Sequence, residues 1–171
     1  MDAFDSTEVT HYRMITLGEM EQQFENRNES YFVRLLRHQD MIIRTRAVCI
    51  LADISSESAV NEISIVLKTD AESLVRHEAA FSLGQLGFAS AIESLIYAVR
   101  SDPSFFVRHE AAIALGVIGS ESARNALNEA LDDGNEEVRK SAKIALANLD
   151  YVSVAGKEID KENKFIRLTG G

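Results

Sequence analysis

With 171 residues, of which 46% are hydrophobic, the chain is long enough for one domain with a continuous core, and no part of it is apolar enough for a membrane span. Its formal net charge of −9 disfavours a nucleic acid as partner, because affinity for nucleic acids depends mainly on Lys and Arg side chains that neutralise phosphates. One cysteine excludes a disulfide within the chain, and the first residues lack the basic and apolar parts of a signal peptide, so we expect a soluble protein of the cytoplasm.

The predicted elements begin with an N-terminal segment, residues 1–28, that contains one helix. Met14, Ile15, Met20 and Phe24 recur at helical spacing. Because the first unit of a stacked structure must have its apolar edge covered, we expect this helix to cap the residues that follow it.

Residues 29–149 contain four copies of one pattern. Each copy has an apolar helix, a break that contains Asp, and a second helix rich in Ala and Leu that begins at a hydrophobic residue followed by Arg. The four pairs stand 31 or 32 residues apart: Ile43-Arg44, Val75-Arg76, Val107-Arg108 and Val138-Arg139. A single copy cannot bury its apolar face alone, so the pattern predicts an all-α solenoid of about four stacked helix pairs.

Two other families with similar periods do not fit the residues inside the repeat. The Thr-Pro-Leu-His string of ankyrin repeats is absent, and the chain contains no Trp, which tetratricopeptide repeats require. The pattern of Asp, then Val-Arg, then Ala-Ala-x-x-Leu-Gly resembles the short HEAT-like repeats of the phycobilin-lyase type.

Several recurring residues are predicted to be structural. Arg76, Arg108 and Arg139, together with Asp70, Asp102 and Asp133, are expected to form a ladder of ion pairs between helices and loops. The glycines that end the second helices, Gly87 and Gly119, suit helix C-caps. Gly84 and Gly116 stand inside those helices, where close helix packing would offset the low helix propensity of glycine. Cys49 lies in an apolar run and is interpreted as a small core residue.

The C-terminal segment, residues 150–171, has a different pattern. Residues 151–154 and 164–168 alternate like strands, with Gly156 and charged residues between them. The sequence is compatible with a small hairpin that caps the solenoid and with a tail.

Two of the four repeats carry a His-Glu step, and these four residues are the candidate metal ligands: His77, Glu78, His109 and Glu110. The outer repeats have other residues at the same positions: Thr45, Arg46, Lys140 and Ser141. A purely architectural pair would recur in all four units, so the step indicates a local site. Nitrogen and carboxylate donors without thiolate favour iron, manganese or zinc.

The spacing also limits what this site can be. Side chains at i and i+1 diverge by roughly 100° on a helix, so the two residues of one step are better placed to flank a groove than to chelate one ion. A zinc-protease motif would need His at the positions of Phe81 and Ile113. No catalytic residue beyond the metal ligands and no other cofactor site is indicated.

The string Arg-His-Glu-Ala-Ala-x-x-Leu-Gly-x-x-Gly in consecutive HEAT-like units resembles deoxyhypusine hydroxylase. Members of that family have two halves of four repeats, and the His-Glu steps of both halves hold a non-haem di-iron centre. The resemblance implies that this chain corresponds to one half, that a homodimer restores the missing ligands, and that the protein is an oxygen-dependent hydroxylase acting on a basic or lysine-bearing protein. The alternative is a non-catalytic HEAT-repeat adaptor or a lyase-like chaperone.

Overall fold

The computed structural model describes residues 6–159, and this part of the chain is built from helices. Its nine α-helices are α1 (Ser6–Glu25), α2 (Glu29–Leu35), α3 (Met41–Ile54), α4 (Val60–Thr69), α5 (Ser73–Leu86), α6 (Ile92–Ser101), α7 (Phe105–Ile118), α8 (Arg124–Ala130) and α9 (Glu136–Ile159). Short 3-10 helices precede α4, α6 and α8. The prediction of an all-α helical-repeat solenoid with an N-terminal helix is confirmed. None of the helices described is long and apolar enough to cross a membrane.

The helices form two layers. The first helices of the four units are α2, α4, α6 and α8, and the second helices are α3, α5, α7 and α9. The second helices pack against one another more closely than the first helices do, and we call the side of the solenoid on which they lie the inner side. A continuous apolar core separates the layers, and leucines at one register position, Leu51, Leu83 and Leu115, are fully buried in it.

Glycines permit the close packing of the second helices. A Cβ atom at Gly84 would stand 2.9 Å from Ala114 Cβ, and one at Gly116 would stand 2.8 Å from the Cα and Cβ atoms of Ala145. Real Cβ atoms do not approach so closely, which confirms the packing role predicted for these two positions. The predicted C-caps are also confirmed, because Gly87 and Gly119 end α5 and α7 in the left-handed conformation.

Arginines bind each unit to the next one. Arg76 of α5 donates from Nε and Nη2 to the two carboxylate oxygens of Asp102, at 2.7 and 2.9 Å, while its Nη1 donates to the carbonyls of Asp70 and Ala71 in its own loop. The same arrangement joins Arg44 to Asp70 and Arg108 to Asp133. The predicted ladder is therefore confirmed. Each of these arginines pairs with the Asp of the next unit's loop, and the sequence did not indicate this pairing. Arg139 contacts only a carbonyl, that of Asp133, among the ladder groups described.

Helix α1 continues this ladder at the N-terminal end. Arg13 donates to Asp40 at 2.6 Å, as the arginines of the second helices do to the following loop. Met20 of the same helix is buried against the core, and α1 packs on α3. The helix thus takes the place of a second helix that has lost most of the repeat pattern.

Two interpretations of the sequence are wrong. Cys49 is exposed, because the apolar run that contains it winds around α3 and only part of it faces the core. Residues 151–154 are helical, since α9 extends to Ile159 and packs along α7, where Asn148 donates to the carbonyl of Gly116 at 2.9 Å. The second predicted strand, 164–168, lies outside the described residues, and the proposed division into 1–28, 29–149 and 150–171 stays a prediction.

Candidate functional site

The His-Glu steps lie at equivalent positions on α5 and α7. Each step directly follows an arginine of the ladder, Arg76 or Arg108, so the ion pair of that arginine fixes the rotation of the helix where the step begins. Both histidines are half-buried on the inner face, which we define as the exposed surface of the second helices that includes Leu74, His77 and Phe81.

His77 contacts the glutamate of the next unit. Its Nε2 lies 3.4 Å from Glu110 Oε2, and the two side chains are 19% and 11% exposed. The imidazole also stacks on the ring of Phe106, with the centroids 4.0 Å apart and the planes 10° from parallel. The structure therefore brings together the first residue of one step and the second residue of the following step, and the stacked ring holds the imidazole plane in place.

His109 also contacts the residue at the second position of the step in the next unit, but that residue is different. Its Nδ1 lies 2.7 Å from Oγ of Ser141, which occupies the position that glutamate has in the two middle units. Ser141 is 3% exposed, and its hydroxyl also donates to the carbonyl of Glu137 at 2.9 Å. The fourth unit, which lacks the His-Glu step, thus still contributes a side chain to the site.

Glu78 has a partner that is not one of the candidate ligands. The thiol of Cys49 donates to Glu78 Oε1 at 3.0 Å. Although Cys49 is exposed as a residue, its thiol is partly desolvated where it meets Glu78, and this desolvation together with the neighbouring carboxylate raises the pKa of Cys49 to about 12. A thiol with this pKa is a poor nucleophile, because the thiolate is the reactive form.

The pair of His77 and Glu110 has the donor types and the separation of two ligands on one metal ion. Two atoms that each lie about 2.1 Å from an ion are themselves about 3.0 to 3.5 Å apart when their angle at the ion is between 90° and 110°. The distance between Nε2 and Oε2 is 3.4 Å. Within residues 6–159, however, no three His, Cys, Asp or Glu side chains are grouped so that they hold one ion.

Apolar side chains surround the steps on the inner face. Leu74 and Phe81 stand three or four residues from His77 on α5, and both are exposed, as are Phe106 on α7 and Ile144 on α9. A helical spacing of three or four residues places side chains on one face, so these residues border the polar site. Phe106 and Ser141 were not predicted as site residues, although an alignment of each repeat with the next identifies both positions.

Comparisons with known proteins place the fold. Residues 60–147, slightly more than half of the chain, match the family of HEAT repeats. The structure of human deoxyhypusine hydroxylase in complex with glycerol is similar at 30% sequence identity, with a TM-score of 0.67 over 73% of this chain and 44% of that one. This chain therefore spans less than half the length of the human enzyme. No curated protein has a significant sequence match to the present chain.

Two further structures share the fold. The complex of CpcE and CpcF of phycocyanin lyase from a Nostoc species is 21% identical, with a TM-score of 0.61 over 68% of this chain and 79% of that one. An engineered protein is 25% identical, with a TM-score of 0.51 over 70% of this chain and 61% of its own. From the matched residues and the repeated helix pairs we conclude that the chain belongs to the HEAT-repeat family.

Proposed function

We propose that the chain is one subunit of a homodimeric, di-iron, oxygen-dependent hydroxylase-like protein related to deoxyhypusine hydroxylase. The observation that carries this proposal is the contact of His77 with Glu110 across two units, at a separation that suits two ligands of one ion. The likeness to human deoxyhypusine hydroxylase at 30% identity supports it.

His77, Glu78, His109 and Glu110 are the proposed ligands. His77 and Glu110 need the least change in position to hold an ion together. His109 occupies on α7 the position that His77 has on α5. Glu78 has to release the thiol of Cys49 before it can bind a metal. Iron held by imidazole and carboxylate with open positions supplies oxygen chemistry, and manganese or zinc would suit the same donors.

The remaining residues of the inner face would bind and shield the substrate. Leu74, Phe81 and Phe106 border the steps with apolar surface that restricts the access of water. The net charge of −9 favours the approach of a cation, which is consistent with a basic or lysine-bearing protein as the substrate.

The assembly follows from the number of donors in one chain. The motif supplies two histidines and two glutamates, which are too few for two ions with open positions, whereas a two-fold dimer supplies twice that number. Two-fold pairing is the commonest closed arrangement of soluble oligomers. The exposed side chains of Leu74, Phe81, Phe106 and Ile144 offer apolar surface for such pairing on the face that bears the ligands.

Metal analysis combined with sedimentation tests this function. We expect about two iron ions per dimer in the wild type, loss of iron from the variant with both His77→Ala and Glu110→Ala, and a shift from dimer to monomer when the iron is chelated. His11→Ala is the matched control, because His11 is an exposed histidine on α1, a helix that packs on α3. An iron-loaded monomer at every concentration, or equal iron content in the double variant, would refute the proposal.

The second candidate function is a non-catalytic HEAT-repeat adaptor or lyase-like chaperone. The exposed apolar side chains of the inner face favour it, because contiguous apolar surface often marks a site for a protein partner. This reading predicts a well-folded protein that binds no stoichiometric metal, so the same experiment separates the two candidates.

A further inference from the structure

We propose that Ser141 fixes the imidazole of His109 in the tautomer that carries its hydrogen on Nδ1. The hydroxyl of Ser141 lies between two atoms that can accept a hydrogen bond, the carbonyl oxygen of Glu137 at 2.9 Å and Nδ1 of His109 at 2.7 Å. A hydroxyl has one hydrogen and can donate it to one of them only.

The two contacts decide where that hydrogen lies. If the hydroxyl donated to Nδ1, the oxygens of Ser141 and Glu137 would face each other at 2.9 Å with lone pairs alone between them. When the hydroxyl instead donates to the carbonyl four residues earlier, as serines inside helices commonly do, its lone pair accepts the hydrogen of Nδ1. Both short contacts then contain a hydrogen, which is the favourable arrangement for a side chain that is 3% exposed.

In the neutral imidazole, which carries one ring hydrogen, Nε2 of His109 is then left with its lone pair and no hydrogen. A histidine that binds a metal through one ring nitrogen usually donates the hydrogen of the other nitrogen to a neighbouring acceptor, which fixes the ring. Ser141 supplies that acceptor without adding a charge, whereas a glutamate at this position would add one, as Glu110 does beside His77. Ser141 is therefore a positioning residue, and the site extends over α5, α7 and α9. The role of Ser141 in metal binding rests on the proposed function, whereas the tautomer of His109 is independent of that function.

Nitrogen-15 NMR of the chelator-treated protein tests the tautomer directly. Long-range correlations between ring hydrogens and ring nitrogens, recorded at mildly alkaline pH, show which nitrogen of His109 carries the hydrogen, and the signals of the four histidines are assigned by single substitutions. We expect hydrogen on Nδ1 in the wild type and in Ser141→Thr, which keeps the hydroxyl. Ser141→Ala should move the population towards hydrogen on Nε2, the form that free histidine prefers in water, while the signals of His77 stay in place.

The second measurement is the affinity for Fe²⁺ under anaerobic conditions. Removing such a hydrogen-bond partner typically weakens metal binding by about 10- to 100-fold, so we expect this loss in Ser141→Ala and recovery in Ser141→Thr. Hydrogen on Nε2 in the wild type, or an unchanged tautomer in Ser141→Ala, overturns the tautomer. Equal Fe²⁺ affinity in wild type and Ser141→Ala overturns the positioning role. Absence of Fe²⁺ binding by the wild type also overturns that role, together with the proposed function, and the NMR result still decides the tautomer.

Discussion

Replacing Arg76 with alanine should destabilise the protein strongly, because it removes the cation from a buried carboxylate. Arg76 is 8% exposed and Asp102 is 7% exposed, and the guanidinium makes four hydrogen bonds, two to the carboxylate and two to loop carbonyls. Breaking a buried ion pair by removing one partner costs about 3 to 5 kcal/mol. Asp102 keeps one hydrogen bond, from the backbone of Ser104 at 2.8 Å, so we expect the low end, about 3 kcal/mol.

For a domain of this size, a loss of about 3 kcal/mol lowers the unfolding temperature by about 6 to 12 °C. Circular dichroism during thermal and urea unfolding measures both quantities. Arg100→Ala is the matched control, because Arg100 makes the same two-pronged contact with Glu129, at 2.7 and 2.8 Å, but at exposed side chains. Exposed ion pairs contribute little, so this variant should unfold close to the wild type. Equal losses in the two variants would refute the reasoning that burial gives the ladder its stability.

Two further predictions concern a helix contact and a thiol. Gly116→Ala should lower the free energy of unfolding, measured by urea unfolding, by about 1 to 3 kcal/mol, because the new Cβ would stand 2.8 Å from Ala145. Gly18→Ala is the control, and it should be neutral or stabilising because the space around Gly18 is open. A stabilised Gly116→Ala would show that the helices separate at little cost. The raised pKa of Cys49, about 12, should slow the alkylation of its thiol by iodoacetamide at mildly alkaline pH at least tenfold relative to free cysteine. The reaction should be faster in Glu78→Gln, which removes the neighbouring carboxylate. Alkylation of the wild type at the rate of free cysteine would contradict this account.

The fold could be predicted from the sequence because its main contacts repeat. One unit's pattern of Asp, Arg, Ala and Gly specifies a contact that recurs at each junction, so a period of 31 or 32 residues was sufficient to predict the solenoid. The helix α1 was predicted as a cap but not as part of the ladder. The pair Tyr12-Arg13 stands 31 residues before Ile43-Arg44, yet the Ala-rich half of the repeat is missing after it.

Candidate site residues could be selected from the sequence, but the contacts that they make could not. The divergence of neighbouring side chains on a helix correctly separated His77 from Glu78, yet the contact of His77 with Glu110 depends on the offset between α5 and α7, which is a product of tertiary packing. The position of Cys49 was mistaken for a related reason. An apolar run on a helix passes through every direction within a turn, and which direction faces the core depends on the neighbouring helices.

The contact of Gly84 with Ala114 has a consequence for the separation of His77 from Glu110. Gly84 stands seven residues after His77 on α5, about two turns away, and the absence of its side chain allows α5 to lie close to α7. The separation of His77 from Glu110 is measured across the same pair of helices, so a larger residue at position 84 would spread the two donor atoms as it pushed the helices apart. The packing of α5 on α7 and the spacing of the two donor atoms are therefore coupled, and under the proposed metal-binding function a larger residue at position 84 would favour a larger cation although all four candidate ligands remained unchanged.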